Sequence, residues 1–463
     1  MKKNKIRTEK RPQLAAPLVW LVLLALTLGA CGTGDGGNLP HHDTTAPRPA
    51  QTDSPPETTG SPSKIIITPS DDTTPGFYPD QTFRVLETTG GSDSLASAAM
   101  SDVITAVKKL TGAVIVAQSS LSPADDIEKA LLSGKNEYDA LNLPLDELSF
   151  LWRAGLLDDL AALGLSPATR GLDRLPAEEL AVSGKYYIAF GDLSPSSINS
   201  VYVLRCNLGA ALSNEIHAIF GKDIRRAALD GELTLEKILS ALADSELIIS
   251  STSTDAVICL PADDTSSAAH ALITAAGGSI FNLGKGDETI VLGGAKFAAA
   301  YENAQRIISQ SETDGSAVFT LARFSKAGEG ECCLPLPKPD TSSDYRCLAS
   351  PGGSNGFAVP RGTESGKRLT DIATAIAEAS VSAADSYFRS MTADDSAFEL
   401  ARLIFASRVY SISDLYDWGD LLRSVTDGAI RGTPLAALLG DADYEKKSAA
   451  AMTAIKIFTD RLG

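Results

Sequence analysis

From Thr82 onward, short apolar runs of strand length alternate with segments whose apolar residues recur every three to four positions. That alternation confines the chain to parallel β-α-β units. FRVL, residues 83–86, is the first run, and Leu95, Ala99, Val103, Val107 and Leu110 follow at helical spacing. AVIVA, residues 113–117, is a second buried strand. Ser122-Pro123 then opens a helix, because proline fits a first turn, and residues 138–141 form a third strand. Residues 186–190 (YYIAF) and 200–205 (SVYVLR) read as strands, and Gly231-Glu232-Leu233-Thr234 caps a helix with Leu235, Ile238, Leu239 and Leu242 on one face. A helix over residues 267–276 is stopped by Gly277-Gly278, since glycine accepts the left-handed conformation at a helix end. GFAVP (356–360) is another strand, followed by helices from Ser365 and Asp394 and by one over about residues 448–458. About 380 residues exceed what one core supports, so two α/β lobes are expected. No repeat with a period of 20 to 50 residues is visible.

The N-terminal region follows a different rule. MKKNKIRTEKRPQ carries six Lys/Arg and one Glu, and a 17-residue apolar segment runs from Leu14 to Ala30. A basic stretch before an apolar one is the outline of an export signal. Its end, Leu28-Gly29-Ala30-Cys31, resembles the bacterial lipobox, which implies a signal peptide over residues 1–30 and a diacylated Cys31. An ordinary cleaved signal and an uncleaved anchor are the alternatives. Seventeen helical residues span about 25 Å, short of the roughly 30 Å hydrocarbon core.

Residues 32–81 are dominated by Thr, Pro, Gly, Asp and Ser and hold nine prolines. Such a tract buries too little surface to offset its ordering entropy, so residues 31–81 read as a lipidated cysteine and a disordered tether, with an r.m.s. span of about 35 to 42 Å. Ile65-Ile66-Ile67 is its one apolar spot, and His41-His42 are solvated spacers.

Charge narrows the partners. Without the first 30 residues the chain keeps 35 basic against 57 acidic residues, a net charge of −22. That balance disfavours nucleic acid and anionic membrane surfaces and leaves lipid as the membrane tether. Beyond Cys31 there are five cysteines, Cys206, Cys259, Cys332, Cys333 and Cys347, in no zinc-ligand spacing. They read as small buried hydrophobes, with a disulfide framework as the alternative. No HExxH, GxSxG, P-loop or GxGxxG stands in a supporting strand-helix context, so no cofactor, metal or catalytic group is expected. His217 and His270 lie in apolar helical settings, where a satisfied structural histidine is the default.

The order of these pieces resembles the extracellular solute-binding proteins of ABC importers, family 1, in particular the clostridial lipoproteins of carbohydrate-binding type. Gly184-Lys185-Tyr186-Tyr187 with Gly191-Asp192, followed by SVYVLRCN (200–207), is similar to that family's passage into its second lobe. Residues 231–239 resemble its turn-plus-helix element, AAGGSIF (275–281) its glycine-ended loop, and LPLPK (334–338) with Asp344-Tyr345 and GFAVP its return to the first lobe. Asp394-Asp395, Arg408-Val409-Tyr410 and Tyr416-Asp417-Trp418-Gly419 resemble its C-terminal region. Cys206 and Leu208 depart from it, standing where an aromatic and a lysine are commoner.

The resemblance implies a two-lobe type II periplasmic-binding-protein fold with a hinge, lobe 1 from residues 82–201 and 350–388 and lobe 2 from residues 202–349 and 389–463. It implies a monomer, lipid-anchored on the outer face of the cell membrane, that captures a solute, a carbohydrate first, and delivers it to ABC permease subunits. A membrane sensor as the partner, a peptide as the ligand and a secreted hydrolase are the alternatives.

In open α/β lobes, ligands bind beyond the carboxyl ends of the strands. Gly91, Ser92 and Asp93 follow the first strand and so line the rim; a serine there serves equally to cap the next helix. Asn142 follows the third strand and is otherwise a turn residue. Asp192, Ser194 and Asn199 form a polar loop before Tyr202, at the start of the next strand. Residues 200–202 and 356–358 are the expected crossings. Phe281 and Asn282 lie past Gly277-Gly278, with Phe281 also readable as a core anchor. Sugar sites pair aromatic faces with polar rims. Trp418 is the stacking candidate, whereas Trp152 sits on a core-facing helix.

Overall fold

A computed structural model describes residues 75–462 except 90–92, 284–288, 314, 365, 417 and 419. The export-signal segment, Cys31 and the tether up to residue 74 lie outside the described residues, as do the candidates Gly91 and Ser92.

The first sheet is built from β1 (Thr82–Thr88), β2 (Val114–Ser120) and β3 (Ala140–Pro144), linked by α1 (Ser101–Thr111) and α2 (Pro123–Leu132). β1 lies between β2 and β3, parallel to both. Strand alternation decides its two cores. Phe83 and Val85 face Val103 and Val107 of α1, while Leu86 and Leu141 face Ile127 of α2 and Leu148 and Leu151 of α3 (Leu145–Arg153). Gly112 ends α1 at φ +74°, where any other side chain would be strained, and its amide bonds the Lys108 carbonyl at 2.8 Å. Pro123 opens α2 behind Ser122, whose side chain makes no capping bond.

Residues 186–190 are extended but form no strand, a departure from the sequence reading. Their side chains are all buried, yet only Ala189 pairs, exchanging 2.8 Å hydrogen bonds with Phe357. Before them lies the short helix α4 (Arg174–Glu179).

β4 (Tyr202–Asn207) starts the second sheet. Five helices follow: α5 (Leu208–Ala211), α6 (Asn214–Phe220), α7 (Ile224–Leu229), α8 (Leu235–Ala243) and α9 (Ser245–Thr252). Asp223 caps α7 by accepting from the amides of Arg225 and Arg226, and Thr234 caps α8 through Lys237 N, as the sequence signature requires. Then come β5 (Ala256–Cys259), α10 (Thr265–Ala275), the small hairpin β6 (Phe281–Asn282) and β7 (Thr289–Ile290), α11 (Ala295–Ser309), β8 (Ala317–Arg323) and β9 (Glu331–Leu334). The sheet order is β5-β8-β4-β9, with β8 parallel to β5 and β4 antiparallel to both β8 and β9. Gly277, at φ +82°, closes α10.

β10 (Cys347–Leu348) leads back to β11 (Asn355–Ala358), which joins the first sheet antiparallel to β3. Residues 356–358 are therefore part of that sheet and not a crossing. The return crossing lies just upstream, where Ala349 bridges Val201 and the Ser350 amide bonds the Ser200 carbonyl at 3.0 Å. Ser200 and Ser354 add a 2.9 Å hydroxyl pair. α12 (Lys367–Met391) then packs on α1 of the first lobe, and α13 (Asp395–Ala406), capped by Asp394, packs on α7 and β9 of the second. β12 (Arg408–Val409) pairs with β10. It is followed by α14 (Ile412–Leu415), α15 (Leu421–Ile430), α16 (Leu435–Leu439) and α17 (Ala442–Leu462). The two α/β lobes expected from the sequence are present. Among the described residues no helix is long and apolar enough to cross a membrane.

Candidate functional site

The first group of polar residues gathers at the carboxyl end of the first sheet. Register places Glu87 of β1 beside Asn142 of β3, and Asn142 Nδ2 donates to Glu87 Oε1 at 2.9 Å and to the Asp93 carbonyl at 3.2 Å. Glu87 also accepts from the Leu95 amide and the Ser94 hydroxyl, so this buried carboxylate organises the loop after β1. Asp93 accepts from the hydroxyls of Ser194 and Ser196 at 2.7 and 2.6 Å. Burial pushes the Asp93 carboxyl up from its ordinary range, and the Ser196 and Ser194 bonds oppose that rise. Asn142 Oδ1 has no hydrogen-bond partner among the described residues. Asn142, Ser194 and Asn355 line a cavity of about 20 Å³, room for one water and no solute.

Asp192 and Asn199 are held nearer the C-terminal helices. Asp192 accepts from Arg402 of α13, which also bonds Asp385 of α12 through Nε at 2.7 Å. Asn199 Nδ2 donates to the Tyr387 hydroxyl at 2.8 Å. Neighbouring Arg408 is wholly buried, 2.6 Å from Asp173 and stacked on Phe405. Arg402 and Arg408 thus tie the segment after α12 to carboxylates of the first lobe.

The second group sits at the corresponding end of the second sheet. Tyr202 is 2 % exposed, and its hydroxyl donates to Asp264, which also pairs with Arg323 at 3.3 Å. Arg323 is Tyr202's register partner on β8, and its guanidinium lies 5.5 Å from the Tyr202 ring centroid. Burial works to raise the Asp264 carboxyl, but bonds from Ser267 and Tyr202 and the Arg323 charge outweigh it and hold the group below its ordinary value. Asp264 and Arg323, like Glu87, escaped the sequence reading. Glu87 had left a trace, an acid closing the apolar run FRVL; Arg323 meets Tyr202 only through the β8–β4 register, and Asp264, in the loop after β5, reaches both only in the folded sheet.

The third group is aromatic. Trp418 is 5 % exposed and packs on Tyr416 and Phe281, with ring centroids 5.2 and 5.5 Å away, while its indole N–H donates to the Ile412 carbonyl. Phe458 of α17 lies against Trp418, Tyr416 and Trp152 at once. Trp418, the expected stacking platform, therefore has much of its surface turned into an aromatic core together with Trp152. One side of this cluster still opens on a concavity of about 300 Å³ lined by Ser413, Asp414, Tyr416, Trp418, Asp420 and Arg423 among others. Phe281 is buried, and Asn282 is exposed on β6. Asp414 Oδ1 lies 3.1 Å from Nδ1 of the buried His270, so this histidine has a carboxylate beside it. Among the described residues no group of three or more His, Cys, Asp or Glu could hold a metal ion.

The predicted residues thus fall into three neighbourhoods. Asp93, Asn142 and Ser194 are joined, with Asp192 and Asn199 in the adjoining loop; Tyr202 stands with Asp264 and Arg323; Phe281 stands with Trp418. Chemically, the open concavity offers aromatic edges beside carboxylates and a guanidinium, groups suited to a hydroxyl-rich solute.

No protein-family model matches the chain, and no curated protein matches it in sequence. Solved structures are similar in fold. The cyclic alpha-maltosyl-1,6-maltose binding protein from Arthrobacter globiformis is 12% identical, covers 82% of this chain and 100% of its own, and has a TM-score of 0.49. The sugar-binding protein MalE from Xanthomonas citri is 11% identical, covering 82% of this chain and 98% of its own at a TM-score of 0.48. The galacto-N-biose-/lacto-N-biose I-binding protein of the ABC transporter from Bifidobacterium longum is 14% identical, with coverages of 82% and 98% and a TM-score of 0.46.

Proposed function

We propose that this chain is a solute-binding protein of an importer, a two-lobed receptor that captures a small polar solute, a carbohydrate first, and passes it to ABC permease subunits. The observation that carries the reading is the hinge: two α/β lobes joined by crossings that run side by side, with Val201 bridged to Ala349 and Ser200 bonded to Ser350 and Ser354. Short, paired crossings can rotate through a few backbone angles while each sheet stays rigid. In this reading lobe 1 comprises residues 82–201 and 350–388, and lobe 2 residues 202–349 and 389–463.

Binding needs no covalent chemistry. A solute touching both lobes stabilises the closed arrangement by its differential affinity for that state, and the closed form is what a permease distinguishes. The residues proposed to meet the solute are Tyr416, Trp418, Asp414 and Arg423 around the open concavity, with Asp264 and Arg323 at the strand ends of the second sheet, while the buried Asp93 and Asn142 hold the loop after β1 in place. The apolar segment ending at Cys31 supports export and lipid anchoring on the outer face of the membrane, and the protein is expected to act as a monomer.

A thermal-shift screen of the purified protein against saccharides, amino acids and short peptides tests this. A ligand at 100 times its dissociation constant adds about 2.7 kcal/mol to stability. A saturable rise in Tm with one saccharide class is the expected result. A response to peptides alone would replace the solute, and a folded protein silent to the whole panel would overturn the carbohydrate assignment.

A further inference from the structure

Cys206 and Cys332 are not needed by any of the polar or aromatic groups described above, yet they stand directly opposite each other. β4 and β9 pair antiparallel with Cys206 in register with Cys332, while the next pair along, Arg205 and Cys333, points to the other face. Both thiols are buried, at 0 % and 3 % exposure. Cross-strand partners have Cβ atoms about 4.5 to 5.5 Å apart, a small adjustment from the 3.5 to 4.5 Å of a disulfide. The other cysteines lack this geometry: Cys259 is in register with Thr320, Cys347 with Arg408, and Cys333 reaches the Ser325 carbonyl on the far face.

We propose that Cys206 and Cys332 are a disulfide-forming pair, closed as the chain folds outside the cytoplasm. The step is a thiol–disulfide exchange. Cys206 and Cys332 give up two protons and two electrons as the Sγ–Sγ bond forms, and a disulfide-bearing oxidant, either an oxidoreductase or a small-molecule disulfide, takes them up as two thiols. The contact with Cys332, followed by burial, pushes the Cys206 thiol well above its ordinary value. In the folded protein the Cys206 thiol is consequently protonated and both sulfurs are shielded by burial, so oxidation belongs to folding and the finished bond resists reduction.

The position gives the bond a consequence. β4 begins at Tyr202, one residue after the outgoing crossing, and β9 leads through β10 to the return crossing at Ala349. A link here closes a loop of about 125 residues and pins the strand that the outgoing crossing enters to the strand that precedes β10 and the return crossing. The proposal rests on the exported reading for its oxidising compartment and on the sheet register for its geometry, and the two can fail separately.

The full chain carrying Cys31→Ser is unfolded, reduced, refolded in a mixture of oxidised and reduced glutathione, then alkylated in denaturant and weighed. The expected result is two fewer alkylated cysteines than in a reduced control. A tryptic peptide 206–222 should be joined to peptide 327–346, with the link kept in Cys333→Ser and lost in Cys332→Ser. The oxidised protein should melt a few degrees above the reduced one. Full alkylation of the refolded protein, or a link made through Cys333, overturns the pair. A link that forms in this arm but is missing from protein collected outside an exporting cell upholds the pair and counts against the exported reading.

Discussion

Arg408 shows what a single residue does at the join between the lobes. It is fully buried on β12, with Nη2 2.6 Å from Asp173, Nη1 donating to the Phe405 carbonyl at 2.8 Å and its plane on the Phe405 ring. Removing one member of a buried pair strands the other charge, so Arg408→Ala should cost about 3 to 5 kcal/mol in urea unfolding. Arg408→Met combined with Asp173→Asn should cost clearly less than the sum of the two single changes. The carboxyls of Asp93, Asp173 and Asp192 are all raised, by burial first, with serine bonds or arginine charges opposing. A raised folded pKa means the native state holds its proton where the unfolded chain has lost it. The contribution to stability is present below the ordinary aspartate value of about 3.9 and is lost as pH rises through the folded values. Asp93→Asn should therefore make the slope of unfolding free energy against pH less negative just above that range, which urea titrations at successive pH values would measure. None of this was legible in the sequence. Asp93, Asp192 and Ser194 were visible as polar loop residues, but the serine and arginine partners that engage them stand more than 100 and 200 positions away, and no local spacing encodes such pairings.

At the scale of elements, periodicity carried the reading a long way. The first three strands were visible as short apolar runs and the helices after them by one apolar face each, and Gly277 and Thr234 marked real helix ends. The failures have a common cause. Residues 186–190 are apolar enough for a strand, but being buried does not supply a neighbouring strand: Tyr186 and Phe190 bond single loop amides through their carbonyls, and only Ala189 forms a strand-like bridge. α17 was recognised as a helix, whereas its destination was not. Phe458 packs against Trp152 of the first lobe and Trp418 of the second, and the Leu462 carbonyl accepts from Lys185 and Tyr187 at 3.2 Å. α17 therefore acts as a strap across the lobes. Phe458→Ala should destabilise by about 3 to 5 kcal/mol, the range for a buried phenylalanine. The chain's three tryptophans are Trp20, Trp152 and Trp418, and the last two both line this cluster. The same variant should accordingly red-shift the tryptophan emission; an unchanged spectrum would mean that α17 does not cover them in solution.

For the whole molecule, two lobes suggest two cores, yet the packing is divided differently. One apolar cluster runs from Leu86 and Leu141 in the first sheet, through Trp152, Phe190 and Tyr410, to Val203, Phe319 and Leu321 in the second. The separate cluster around Phe83, Val107 and Ile372 is the outer face of the first sheet. A chain whose lobes share side chains across the hinge has no interface along which one half can melt while the other keeps its burial. Unfolding should then be a single transition, with tryptophan emission, which reports the inter-lobe cluster, and far-UV circular dichroism, which reports both sheets, giving the same midpoint. Two separated midpoints would show that the shared cluster contributes less than the burial within each lobe. The same argument fixes how a bound solute should register. Because the lobes unfold together, a ligand contacting both must raise the whole transition and not one part of it, by about 2.7 kcal/mol at 100 times its dissociation constant. A saccharide that shifted only one of two midpoints would be bound by a single lobe, and hinge closure would play no part in holding it.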